Sequence, residues 1–167
     1  MQQSRASRNN TFPIEINLVI FGHNEGKKAK VYFLKDQFGN FVIPQKKLSH
    51  GTGCYDTTLE LLNECLTLDR TLPFNIELCG CVENPSKEAE ESSHLVRLVF
   101  KLDLDISDCR LFKDFHPLSV EQIFDHIERG DISKECSSVF IMALFGSDYD
   151  TAEIQHHTKN KSNEQKQ

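Results

Sequence analysis

The sequence contains no apolar run approaching the ~18 residues that a membrane-spanning helix needs, which excludes a transmembrane helix as an organising element. It also shows no apolar stretch behind a basic start. Met1-Gln2-Gln3-Ser4-Arg5 leads into further polar residues, so no secretory leader is read and a cytoplasmic location is expected. Positive charge is in deficit, with 19 Lys and Arg against 25 Asp and Glu and a formal net charge of -6. An extended surface for duplex nucleic acid rests on clustered Lys and Arg, and is not expected here. Six cysteines occur, at positions 54, 65, 79, 81, 109 and 136, but no two form the C-x-x-C pair that opens a structural zinc site. Their apolar surroundings fit reduced thiols packed as small hydrophobes.

What is present is a globular composition. A chain of 167 residues with 38% hydrophobic and 26% charged residues can build one proper core and is short for two. One domain is expected over residues 13–147, between polar tails at 1–12 and 148–167 that lack periodicity and are expected to be disordered. His156-His157 in the second tail has no third ligand nearby and reads as tail. Within the domain, the alternating and then fully apolar run Ile14 to Phe21, the β-branched and aromatic run Ala29 to Leu34, and Phe41-Val42-Ile43 read as strands. The turns Gly22 to Gly26 and Asp36 to Asn40 separate them, and Pro44 ends the third.

From Asp56 the period changes. Leu59, Leu62 and Leu66 recur on one side while Glu60, Asn63, Glu64 and Thr67 collect on the other, which predicts an amphipathic helix. Strands resume at Ile76 to Val82 and Leu95 to Leu102, around a charged loop from Glu83 to Ser92 expected to be solvated and mobile. Ser119-Val120-Glu121-Gln122 is a capping box, so a helix should begin there, carry Ile123, Phe124 and Ile127, and stop at Gly130. A second helix is predicted from Cys136 to Phe145. The order β-β-β-α-β-β-α-α predicts an α/β architecture of the α+β sandwich type, a mixed sheet flanked by helices.

This order, together with the residues between Pro44 and Thr67, resembles the Nudix hydrolase family. That family is recognised by a glycine, a downstream loop glutamate, and then a helical run of Arg-Glu-aliphatic, any residue, Glu-Glu, any residue, Gly-aliphatic. With Glu60 placed on the glutamate after the arginine, Leu61 and Glu64 also match. Gln45 stands at the first glycine, Gly51 at the loop glutamate, Leu59 at the arginine, Asn63 at the earlier of the paired glutamates, Leu66 at the second glycine and Thr67 at the last aliphatic. Anchoring on Pro44 instead shifts the frame by one residue. The stretch from Ser119 to Ser133 and the apolar helix after it resemble the ending of ADP-ribose pyrophosphatase-type members.

The resemblance implies a magnesium-dependent pyrophosphohydrolase acting on a nucleoside diphosphate derivative such as ADP-ribose, weak because its signature is degenerate. The alternative it leaves open is a catalytically inactive module that binds a nucleotide or a protein, and it also allows pairing as a homodimer. Magnesium favours carboxylate oxygens, and Glu60 and Glu64, one helical turn apart, are the candidate metal ligands. The alternative for them is the solvated face of an amphipathic helix. Lys46 and Lys47 are candidates for substrate phosphate, as are Lys27 and Lys28, against the ordinary reading of solvated surface lysines. Arg97 on an apolar strand is a substrate-binding candidate because a buried guanidinium requires an anionic partner, either a phosphate or Glu77. No general base is assigned: His94 and His116 have no sequence-local carboxylate that marks them, and Glu83 or Asp114 could serve after folding.

Overall fold

The computed structural model describes residues 13–68, 74–84 and 95–146. The expected tails, the loop residues from Pro85 on, and His94 and His156-His157 lie outside the described residues. In chain order the strands and helices are β1 Ile14–His23, β2 Lys30–Lys35, β3 Phe41–Val42, β4 Gln45–Lys47, α1 Cys54–Cys65, β5 Leu66–Leu68, β6 Asn75–Asn84, β7 Leu95–Asp105, β8 Cys109–Leu111, β9 His116–Leu118, α2 Val120–Arg129 and α3 Lys134–Phe145. The main sheet runs β3-β2-β1-β7-β6, with β4 also on β1 and β9 on β2, while β5 and β8 pair separately.

Strand β1 organises the sheet. It pairs parallel with β7 from Ile14↔Val96 to His23↔Asp105. Its other edge is shared: Glu15 to Asn17 meet β4 and Phe21-Gly22 meet β2, both antiparallel. A strand covered on both faces needs an almost unbroken apolar run, and Leu18 to Phe21 supplies one. Alternation then divides the core. Ile16, Leu18 and Ile20 pack with Leu61, Leu62 and Cys65 of α1 and with Phe100 and Leu102. Val19 and Phe21 turn to the other face, with Phe33, Ile123, Val139 and Phe140 under α2 and α3. Each fully buried aliphatic side chain contributes about 1.5–3 kcal/mol, so both layers depend on the register of β1.

The predicted capping box is formed at α2. Ser119 Oγ accepts from the Gln122 backbone N–H at 3.2 Å, and the Gln122 side chain accepts from the Ser119 N–H at 2.9 Å. The helix ends on Gly130 at φ 82°, a left-handed conformation that glycine adopts without strain. Helix α3 begins earlier than its apolar pattern suggests because Ser133 caps it, its Oγ accepting from the Cys136 N–H at 3.1 Å.

Three short elements depart from the expectation. Pro44 does not end the pairing, because its carbonyl accepts from the Leu18 N–H at 3.0 Å and the chain re-enters the sheet as β4. Helix α1 begins at Cys54 rather than Asp56 and stops at Cys65, so Leu66 and Thr67 belong to β5. Thr67 is opposite Arg110 of β8, whose three residues carry too little pattern to be read as a strand.

Replacing Ser119 by alanine removes the acceptor of the Gln122 backbone N–H, while the Gln122 side chain keeps the backbone N–H of residue 119, so stability should fall by about 1 kcal/mol. Urea denaturation of the full chain measures this, and Ser138→Ala, on the exposed side of α3, serves as the control expected to change little.

Candidate functional site

Helix α1 buries Thr57, Thr58, Leu61, Leu62 and Cys65 against the sheet. Its 3.6-residue period therefore turns Glu60, Asn63 and Glu64 outward, and all three are exposed. Glu60 and Glu64 lie in one i, i+4 row, as the spacing predicts. Leu59 is half-buried and packs against the α1-side core. Gly51 sits at φ 81° beside a turn in which the Thr52 N–H donates to the Ser49 carbonyl at 3.2 Å.

The strand beside this helix contributes a group of opposite charge. Lys46 is opposite Ile16 in the β1–β4 register, so its side chain leaves the sheet on the α1 face. Its ammonium donates to Glu64 Oε1. The hydrogen bond to Glu64 raises the Lys46 pKa, partial desolvation opposes this, and the charges of Glu64 and then Glu60 add to it. The ammonium thus stays protonated as pH rises past the ordinary lysine value of 10.5. Lys47, one residue on, falls on the opposite face and is exposed.

Arg97 belongs to that opposite face. The parallel register places it against Glu15, and its Nε lies 3.4 Å from Glu15 Oε1. Asn17 donates to the same oxygen at 3.4 Å. The pair is largely enclosed, with the Arg97 side chain 17% and the Glu15 side chain 8% exposed. Arg97 Nη1 is buried with no hydrogen-bond partner among the described residues. The half-buried thiol of Cys136 in α3 is pushed up to about 11 by desolvation, against lowering by an Ile43 backbone hydrogen bond and by the Arg97 charge.

The sequence candidates therefore separate into two groups. Glu60, Glu64 and Lys46 meet on the α1 face, whereas Arg97 and Lys47 lie across the sheet. Arg97 takes Glu15 as its ionic partner, not Glu77, because Glu77 is opposite Lys101 in the β6–β7 register while Arg97 is opposite Val82. Lys27 and Lys28 are exposed in the turn after β1. His116 on β9 does have an acidic neighbour, Asp114, with Nε2 3.9 Å from its Oδ2, beyond hydrogen-bond reach. The pairing of Lys46 with Glu64 has no local sequence signal, because the polar run Gln45-Lys46-Lys47 acquires its strand alternation only from its register with β1.

The donors on the α1 face do not fit a resident magnesium centre. Glu64 already accepts from an ammonium, Asn63 offers a neutral amide and Gly51 no side chain. Among the described residues no group of three or more His, Cys, Asp or Glu is placed to hold a metal ion.

A mixed sheet with α1 on one face and two C-terminal helices on the other is the Nudix architecture. The chain is similar to the Nudix domain of Shewanella oneidensis NrtR, solved in complex with ADP ribose, at TM-score 0.51 and 16% identity, covering 68% of this chain and 77% of that one. It is similar to the C-terminal domain of mouse MUTYH, solved in complex with human PCNA, at TM-score 0.57 and 15% identity over 78% and 86% of the two chains. It is also similar to a Caenorhabditis elegans Ap4A hydrolase in a binary complex, at TM-score 0.52 and 15% identity over 78% and 93%. No protein-family model matches the chain, and no curated protein matches it in sequence. The chain has the Nudix fold. No helix of the described residues is long and apolar enough to cross a membrane.

Removing the Glu15 charge by Glu15→Gln should strand the enclosed guanidinium of Arg97 and cost about 3 kcal/mol in urea denaturation. The double change Glu15→Gln with Arg97→Met should recover most of that loss, because the orphaned charge is gone.

Proposed function

We propose that this chain is a Nudix-fold module that recognises a nucleoside diphosphate derivative of the ADP-ribose type, with hydrolysis of the phosphoanhydride vestigial. One observation carries the reading: three positions of the catalytic signature hold a left-handed turn glycine, Gly51, a core-packed leucine, Leu59, and an exposed amide, Asn63. A glycine supplies no carboxylate, a leucine cannot make the charge-assisted contacts of an arginine, and an amide contributes no charge to a cation. Diphosphate cleavage relies on cations to neutralise phosphate charge and activate water, so these three losses favour binding over turnover.

The nucleotide class is supported by likeness, since a NrtR Nudix domain was solved with ADP ribose and an Ap4A hydrolase of the same fold in a binary complex. The ammonium of Lys46 carries three donors and can meet a phosphate oxygen while it holds Glu64. Lys47 and Arg97 lie on the other face, so phosphate contact in this reading rests on Lys46. The second reading, weak magnesium-dependent hydrolysis with Glu60 and Glu64 as ligands, is favoured by their shared outward row on α1. The domain boundaries 13–147, the cytoplasmic location and the homodimer belong to the same proposal.

Calorimetry with ADP-ribose and Ap4A, with magnesium and separately with a chelator, tests the reading alongside an assay of anhydride cleavage. The expected outcome is saturable binding that persists in chelator, with cleavage in magnesium near the uncatalysed background. Magnesium-dependent turnover abolished by Glu60→Gln with Glu64→Gln would establish the hydrolase reading instead. Failure of both ligands to bind would remove the nucleotide class.

A further inference from the structure

We propose that Lys46 is a tethered cation: its ammonium holds the place at Glu64 that a divalent ion would otherwise take, so the Glu60–Glu64 side of α1 operates without a bound divalent ion. The inference concerns the cation at Glu64 and stands whether or not a nucleotide is the ligand.

The geometry leaves Lys46 little choice of direction. Its backbone is pinned by pairing with Ile16, a fully buried residue under α1, and strand alternation sends the side chain toward the helix. Glu64 is the carboxylate it reaches, and Glu60 is close enough for its charge to act on the same ammonium. Two carboxylates and one ammonium leave a single net negative charge where a divalent site would present two. Divalent affinity follows ligand charge and the number of oxygens that can close on the ion, and the ammonium reduces both. It also repels an incoming divalent cation directly.

A competing ammonium differs from a merely exposed lysine in one measurable respect. If Lys46 held no cation position, its loss would not alter divalent binding beyond general screening. With Mn2+ as the probe, free Mn2+ can be followed by electron paramagnetic resonance at moderate salt, using the full chain and checking each variant's fold by circular dichroism. Lys46→Met should bind Mn2+ roughly ten-fold more tightly than the unaltered chain, since the pair regains its second negative charge. Lys46→Arg keeps the charge and should bind as weakly as the unaltered chain. Adding Glu64→Gln to Lys46→Met should return affinity to the original level. Equal Mn2+ affinity in the unaltered chain and Lys46→Met would overturn the proposal, as would tightening by Lys46→Arg equal to that by Lys46→Met. These outcomes do not depend on nucleotide binding, so failure here and failure of the nucleotide reading are separately visible.

Discussion

The parallel ladder between Ile14–His23 and Leu95–Asp105 is the constraint on which both faces of the molecule depend. A register slip of one residue would exchange the two faces of β1, moving Ile16, Leu18 and Ile20 away from α1 and turning Glu15 and Asn17 into its apolar core. The ladder thereby fixes more than packing. It sets Glu15 against Arg97 on one side of the sheet and, through β4, directs Lys46 to the other.

These two charge pairs have different physical standing. Glu15–Arg97 is enclosed, so its worth lies in what happens when one partner is removed: desolvation of an unpaired ion costs far more than the intact pair contributes. Lys46–Glu64 is open to solvent, with the two side chains 29% and 47% exposed, and as a surface pair contributes little to stability. Its consequence is local instead, through the charge that the outward row of α1 presents. The first pair belongs to the fold, whereas the second belongs to the proposed chemistry of the site.

Much of the architecture was legible because it rests on local signals. The uninterrupted apolar run of β1, the leucine spacing of α1, and the Ser119 and Gln122 box with Gly130 after it each report a single element, and each is present. The three-residue strands β4, β5, β8 and β9 were not legible, since each acquires strand geometry from its neighbours rather than from its own pattern. The candidate site divides along the same line. Glu60 and Glu64 became candidates through the family resemblance, and helical spacing accounts for their shared outward row. The Lys46 partner and the Glu15 partner of Arg97 are contacts between distant stretches, and they became visible only through the register of β1. Glu15 is the clearest case: within an alternating strand it reads as the solvent-facing residue, yet it is buried because that face is also covered.

The central claim is that the outward face of α1 together with β4 receives the ligand, and does so without a divalent ion. Amide chemical-shift mapping by nuclear magnetic resonance, with ADP-ribose titrated into the full chain in the presence of chelator, tests it directly. The account predicts perturbations concentrated at Lys46, Glu60, Glu64 and their neighbours on β4 and α1, with little change along α2 and α3. Perturbations confined to the α2 and α3 face, or appearing on α1 only after magnesium is added, would contradict it.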